Sequence, residues 1–476
     1  MPAIAQPALS ITRSVSVRLA VDVVVAGGGP TGVSAAVAAA RQGARVFIIE
    51  GEICFGGMGT SGGLPLLCKF TDGINFCSAG VGREIHDRLI AAGGVIDHPR
   101  CGHGDLYFQP ETLKAVYDDL LTAEGAITPS LATRIVGVET APGAGGTRVT
   151  HVLCHGKSGL FAIQCAAVVD ATGDGDICAW AGAPFAKGDA RGRMQPGTMI
   201  SMWAGIDWPA AEAAGMGVWQ QSTFIKQAIA DGVFTTPDPG MPGIIPTGRT
   251  TGNGNVGHLF GLDGTDERSL TKAAMLGRRQ MREYGAYFRK YLKGYETIEL
   301  CGSASRVGVR ETRRIGGDYE LCVDDFRRRA VFDDEIGRYA YAVDLHPVDL
   351  DDSEECHQTF ERLRLAPGES YGIPYRCLTP RTLSNVLVAG RCLSADRAVQ
   401  GSLRVMPGCY ITGQAAGVAA AMVATGQGDA HTVEVRELQR RLKKLGAYLP
   451  NLDKPVPAPL ATSATAAAPA TAPAAR

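Results

Sequence analysis

Three glycines in Gly27-Gly28-Gly29-Pro30-Thr31-Gly32 are spaced to turn a strand sharply into a helix and to bring backbone N–H groups against a pyrophosphate. Gly27 serves the turn, Gly29 the close approach, and Gly32 the packing of helix on strand. Glu50, 18 residues beyond Gly32, can accept hydrogen bonds from a ribose diol. Arg310-Glu-Thr-Arg-Arg314 gathers guanidinium groups that could grip a carboxylate through paired hydrogen bonds, or could tie two parts of the chain into an ion-pair knot, with Arg310 the first candidate for a ligand contact. His346, closing Tyr341-Ala-Val-Asp-Leu-His346, has the chemistry to take a proton while a hydride leaves the adjacent carbon. Tyr371 and Tyr375 are acid–base or hydrogen-bonding candidates, or alternatively core aromatics.

Positioning such groups takes a framework, and the chain supplies one. Val21-Asp-Val-Val-Val-Ala26 reads as a buried strand, the Ala- and Val-rich run to Gln42 as a helix ended by Gly43, and Ala44–Ile49 as a second strand with Glu50 at its end. This context turns a glycine spacing that would otherwise be weak in a chain with 61 glycines into a βαβ dinucleotide site. Helices are expected near 81–92, 110–124 and 266–291. Strands are expected at 126–138, 148–156 and 159–170, with Gly156–Gly159 as a hairpin turn. Residues 1–19 read as an edge strand or loose arm. The small-residue run Gly413–Ala421 reads as a helix packed on the nucleotide sheet rather than as a membrane or dimer motif.

Length and composition bound the rest. A chain of 476 residues, 45% apolar and 20% charged, exceeds what one core normally serves. The expected division is 1–184 and 346–454 as two parts of a nucleotide domain, 185–345 as an inserted α+β substrate domain, and 455–476 as a disordered Ala/Pro tail. Lysine and arginine total 47 against 48 acidic residues, with no basic run among aromatics, which argues against nucleic acid. The 13 cysteines are scattered without a CxxC pair, implying reduced thiols, a cytoplasmic setting and no iron–sulfur centre. No apolar stretch is long enough to span a membrane. His98, Cys101, His103 and Asp105 lie close in sequence but match no zinc spacing, so no metal is expected.

Two later segments choose the dinucleotide. A strand ending in Ala171-Thr-Gly-Asp174, and another ending in Ala389-Gly-Arg391 ahead of a Gly/Ala helix, are contacts an extended flavin dinucleotide needs and a nicotinamide domain does not. With VDVVVAGGGPTGVSAAVAAARQGARVFIIE, FGGMGTSGG, YFQPETLK, VVDATGDGD, GVRETRRIGGDY, YAVDLH, YGIPYRCLTP and NVLVAGRCLSADRAVQGSLRVMPGCYITGQAAGVAAA, the chain resembles the FAD-dependent oxidoreductases. They form a branch of the superfamily that includes the fumarate reductase and succinate dehydrogenase flavoproteins. The resemblance implies a Rossmann-like α/β FAD domain and FAD as cofactor.

It places Gly27, Gly29, Pro30, Thr31 and Gly32 at the pyrophosphate and Glu50 at the ribose. Gly57, Met58, Gly59 and Thr60 would follow the ribityl chain and inner flavin edge, and Arg134 the adenine. Thr172, Gly173 and Asp174 would close the site, while Gly390 and Arg391 would touch the ribityl and phosphate region. Fumarate reductases carry an acid where Arg391 stands, so that contact must differ here. Arg404, Val405 and Met406 precede a helix whose N-terminus would face the pyrimidine side of the flavin, where free N–H groups favour the negative charge of reduction. Cys54, Cys68 and Cys77 leave covalent flavin attachment open.

The function expected is hydride transfer from a C–H bond of a small polar, anionic metabolite to flavin N5, with His346 as base, Arg310 as anchor and Tyr371 and Arg404 beside them. Alcohol or amine oxidation, and a purely structural FAD in an assembly role, are the alternatives. Electrons would leave through oxygen, a quinone or a soluble carrier, and a homo-oligomer stays open.

Overall fold

The computed structural model describes residues 11–97, 105–218, 220–240 and 243–454. The N-terminal ten residues, His98, Cys101 and His103, and the Ala/Pro tail lie outside that range.

The central sheet is built on β1 (Ser16–Ala26), β2 (Val46–Ile49), β3 (Ile127–Ser130), β4 (Arg134–Gly143), β5 (Gly146–Gly156) and β6 (Gly159–Asp170). Their order is β3-β2-β1-β6-β5-β4, and β11 (Val386–Val388) joins β6. β1 pairs in parallel with β2 through Val23↔Val46 and with β6 through Val24↔Val168. β5 pairs with the first half of β6 and β11 with the second, so the chain returns after more than two hundred residues to complete one sheet. The supposed arm is corrected here: Ser16–Ala20 form the exposed first half of the central strand itself. The single strand expected at 126–138 is two, broken where Ala132 takes a positive φ of 48°.

The second half of β1, Val23–Ala26, is apolar without alternation because both its faces are covered. Val23 and Val25 point to one core with helix α1 (Pro30–Ala40), while Val24 and Ala26 point to the other with Val149, Val152 and Ile177. The parallel strands end together at Ala26, Ile49, Asp170 and Val388. In open α/β sheets, ligands gather beyond such carboxyl ends.

Helix α3 (Met406–Ala424) lies against α1, and its small residues are what permit the approach. A Cβ on Gly413 would sit 2.3 Å from the Thr31 carbonyl oxygen, and one on Gly417 2.2 Å from that of Ala35. Alanine is the better helix former, but a backbone carbonyl cannot step aside. Gly417→Ala is therefore expected to cost about 1–3 kcal/mol, read as a lower urea midpoint.

A second, antiparallel sheet has β7 (Ser201–Ala204), β8 (Ile244–Pro246), β9 (Gly252–Gly254) and β10 (Glu299–Ser303) in the order β8-β9-β7-β10. Helix α2 (Glu267–Tyr291) is capped by Asp266, which accepts from the Arg268 and Ser269 N–H groups. It buries Tyr284, Tyr287 and Phe288 against Trp203, forming a separate core. That core does not extend to residue 345 as expected. Leu321, Phe326, Ile336, Tyr339 and Val343 belong to the central core, and Arg313–Ile315 pairs with Phe185–Lys187. Apolar residues in short elements such as Val323–Arg327 and Glu335–Tyr339 carry no sign of which core they join, so the sequence offered no break between 303 and 321.

Candidate active site

The turn after β1 is held open by its glycines. Gly27 has φ +98°, and a Cβ there would fall 2.5 Å from the Ala171 carbonyl oxygen. At Gly32 a Cβ would lie 1.8 Å from the Gly27 carbonyl oxygen, so this glycine packs the helix onto the turn. At Gly29 nothing lies within 4 Å, leaving its face open. No side chain caps the start of α1, whose first N–H groups and positive dipole end are free for an anion. Glu50 is anchored by Gly28 N at 3.0 Å and Glu52 N at 2.9 Å, and each carboxylate oxygen retains capacity to accept another bond.

Asp170, at the end of β6, accepts from Thr172 Oγ1 at 2.7 Å and Cys178 N at 2.9 Å, and so shapes the turn carrying Thr172, Gly173 and Asp174. Asp174 in turn binds Thr312 Oγ1 at 2.7 Å and Arg391 Nη2 at 2.8 Å. Thr172, Gly173, Asp174 and Arg391 line one cavity of about 1550 Å3, beyond the ~300–1,000 Å3 of ordinary small-molecule sites. Its wall includes Gly27, Gly29, Pro30, Thr31 and Glu50, then Gly57, Met58 and Arg134, and finally Arg391, Val405 and Met406. No side chain caps the start of α3, where Val405 and Met406 stand, so a second helix N-terminus meets this cavity.

Four residues expected at the cofactor are not on that wall. Gly32 is the packing glycine just described. Gly59 faces Leu113 and the Met406 sulfur, and Thr60 donates to the Phe55 carbonyl at 2.6 Å. Gly390 has φ +75° with Thr31 Oγ1 2.2 Å from where its Cβ would be, and its N–H donates to Thr412 Oγ1. They space the elements that carry the wall. Gly29→Val, by contrast, would fill open space only. It is expected to leave the far-UV circular dichroism unchanged while the protein purifies without visible flavin absorbance.

Arg310, His346, Arg404, Asp344 and His258 line the same cavity. Arg310 is 7% exposed and donates through Nη1 to the Pro196 carbonyl at 2.7 Å. Burial first, and then Arg404, oppose its charge and lower its pKa to about 9. Arg404 donates to the Asp344 backbone carbonyl at 2.9 Å and lies 3.2 Å from its Oδ2. Burial alone would raise the Asp344 carboxyl, but His346, Arg404 and Arg310 hold it well below the usual carboxylate range.

The His346 backbone N–H donates to Gln195 Oε1 at 3.0 Å, its Nε2 lies 3.5 Å from Asp344 Oδ1, and its Nδ1 is 3.0 Å from His258 Nε2. Burial and then Arg310 push its pKa down to about 3, against the opposing pull of Asp344, so the imidazole is neutral at neutral pH. His258 Nδ1 lies 2.9 Å from Asp238 Oδ2. Burial lowers the His258 pKa as well, with Asp238 opposing. Neither His258 nor Asp238 was legible as a site residue, since their partner His346 is 88 residues from His258 and no local motif joins them.

The arginine cluster divides. Arg313 binds the Asp174 carbonyl and Asp176 Oδ1, and Arg314 binds Glu311 Oε1 at 2.6 Å and the Gly188 carbonyl. These two are the ion-pair knot, and Arg310 alone reaches the cavity wall. Tyr371 is corrected: it is fully buried, off the cavity, with Oη 2.7 Å from Ser402 Oγ and its ring against Phe326. Tyr375 likewise donates to the Ala430 carbonyl inside the core. Cys54 and Cys77 are buried off the wall. Cys68 is on it, with burial and then Asp105 pushing its thiol well up. Among the described residues no group of three metal-ligating side chains is gathered, and no helix is long and apolar enough to cross a membrane.

The chain matches the model of the family described as FAD dependent oxidoreductase over residues 22–442. No curated protein matches it in sequence. Its shape is similar to p-nitrophenol 4-monooxygenase from Pseudomonas putida, at 10% identity over 90% of this chain and 86% of that one, TM-score 0.47. It is similar also to a myxobacterial chondrochloren halogenase, at 13% identity over 89% and 79%, TM-score 0.45. A geranylgeranyl bacteriochlorophyll reductase-like protein from Thermoplasma acidophilum follows at 12% over 90% and 83%, TM-score 0.40. The open face at Gly29, the two uncapped helix starts and the anchored Glu50 fit such a cofactor, and with the family match spanning nearly the whole described chain, this protein belongs to the FAD-dependent oxidoreductases and uses FAD.

Proposed function

We propose that this enzyme dehydrogenates a small anionic metabolite, with Arg310 holding the substrate's carboxylate and His346 taking the proton that accompanies hydride loss. The observation that carries the reading is the state of Arg310. Its neighbours are paired: Arg404 with Asp344, Arg391 with Asp174, Arg313 with Asp176, and Arg314 and Arg397 with Glu311. Arg310 is as buried as these, yet its hydrogen bond goes to a neutral carbonyl and it forms no ion pair among the described residues. A buried cation at a cavity wall calls for an anion, and a substrate carboxylate supplies one.

FAD, when bound, supplies the acceptor for the hydride at its N5. The protein's own residues do the rest. Arg310 orients the substrate. The same carboxylate offsets the repulsion that keeps His346 from accepting a proton, so binding readies the base. Asp344, 3.5 Å from Nε2, then stabilises the imidazolium.

The test is anaerobic mixing of the holoenzyme with dicarboxylates, hydroxy acids, amines and sugars while following flavin absorbance. Bleaching by carboxylates and not by their neutral esters is the expected result. Bleaching by neutral sugars or simple amines alone would replace this reading with an alcohol or amine oxidase.

A further inference from the structure

Two imidazoles meet edge to face in the cavity wall, with ring planes 75° apart and His258 Nε2 3.0 Å from His346 Nδ1. At that separation one nitrogen must carry a proton and the other must not. The choice is made farther away. His258 Nδ1 lies 2.9 Å from Asp238 Oδ2, and both side chains are 3% exposed. A bare nitrogen lone pair at that distance would face a negatively charged oxygen in a dry site, whereas a proton there is attracted to it, so His258 carries its proton on Nδ1. Its Nε2 is then an acceptor, and His346 must donate from Nδ1. The remaining His346 nitrogen, Nε2, is left bare, and at 3.5 Å from Asp344 Oδ1 it is beyond a normal hydrogen bond.

The supports of this chain are specific. Asp238 also accepts from Gly240 N at 2.9 Å and from His258 N at 3.1 Å, so its carboxylate cannot swing away cheaply. Gln280, on α2, donates to the His258 carbonyl at 3.1 Å. The His346 main chain is held by Gln195. Two side chains from the second-sheet region are thus fastened behind a histidine that comes from the central one.

We infer that Asp238 and His258 are positioning residues that hold His346 in the tautomer with a bare Nε2 and draw onward the proton it accepts. The inference rests on the reading of His346 as the base. In the step, the substrate X–H bond breaks and its proton binds His346 Nε2, while the electron pair of the neighbouring C–H bond leaves with hydrogen as hydride to FAD. The His346 Nδ1 proton passes to His258 Nε2. One positive charge thereby moves from His346 to His258, where the Asp238 carboxylate lies beside it. No proton is lost, and the reverse passage restores the bare Nε2 when the proton is released to solvent.

Free neutral histidine carries its proton mainly on Nε2, so a pair with both protons on Nδ1 is a distinctive signature. Long-range proton–nitrogen NMR of the histidine-15N-labelled holoenzyme at neutral pH reads it without any substrate. His258→Phe and His346→Gln supply the assignments. The expected spectrum has protonated Nδ1 and bare Nε2 in both residues, and in His258→Phe the His346 proton returns to Nε2. A wild-type His346 protonated on Nε2, or a tautomer unchanged in His258→Phe, overturns the inference. Should His258→Phe lose FAD or fail to fold, the wild-type spectrum, assigned with His346→Gln, decides alone.

With a carboxylate found to bleach the flavin, His258→Phe should slow reduction by part of the ~10²–10⁴-fold that a positioned base contributes, at unchanged KM. An unchanged reduction rate overturns the relay. Assigned tautomers in an enzyme that no carboxylate reduces would instead sink the proposed substrate class and leave the pairing of His258 with His346 standing.

Discussion

Replacing His346 by glutamine is expected to slow reduction of the bound flavin by about 10²–10⁴-fold while FAD stays bound with an unaltered spectrum. Glutamine keeps a polar group of similar reach but cannot accept a proton at Nε2. The partners of His346 are Gln195, His258 and Asp344, none of them a residue of the dinucleotide cradle. Stopped-flow absorbance under anaerobic conditions measures it. The pH dependence sharpens the assignment. An ordinary imidazole base loses half its activity near pH 6.5 as it is protonated. His346 is pushed down to about 3 by burial and Arg310, so in the free enzyme it stays neutral and competent as pH falls from 8 to 5. The profile of kcat/KM should therefore show no acid limb in that interval. A limb near 6.5 that disappears in His346→Gln would mean a base in ordinary contact with water.

Arg310→Gln is the second large effect. Removing one partner of a buried, hydrogen-bonded charge pair costs about 2–5 kcal/mol. At about 1.4 kcal/mol per decade, that is roughly one and a half to three and a half orders of magnitude in kcat/KM for a carboxylate substrate. The loss should divide between KM and the reduction rate. Arg310 supplies the binding contact, and its neutralisation by substrate is what raises the basicity of His346. The neutral ester of the same substrate, poor with the natural enzyme, should lose far less. Steady-state kinetics on the acid and its ester make the comparison, and equal losses on both would assign Arg310 to holding the fold through Pro196. Arg310→Lys should not rescue fully, because an ammonium cannot present the paired donors that match a carboxylate.

Much of the nucleotide end was legible from sequence because its chemistry is local. Gly27, Gly29 and Gly32 are read from one turn, and Glu50 from the end of the adjacent strand, all within one βαβ unit. Even there the roles divide in a way that spacing cannot express: Gly29 is open to the cavity, while Gly32 is closed by the Gly27 carbonyl. The RETRR run shows the limit more plainly. Its three arginines look alike in sequence, yet backbone direction and neighbours send Arg310 to the cavity, Arg313 to Asp176 and Arg314 to the buried Glu311. Tyr371 had the chemistry of a catalytic group and was placed by packing against Phe326 instead.

What the sequence by itself determined is the set of local conformations: the strand–turn–helix that cradles a dinucleotide, the helix of small residues that must lie close to another backbone, and the capped helix over the second sheet. These follow from steric and hydrogen-bonding preferences that act within a few residues. Only the tertiary structure decided which charged groups are paired, which arginine donates to a neutral carbonyl instead of an acid, and that Asp238 and His258 stand behind His346. Such matters depend on groups far apart in the chain sharing one poorly hydrated space. There a distance of 3 Å sets the state of a proton, and no spacing along the chain encodes it.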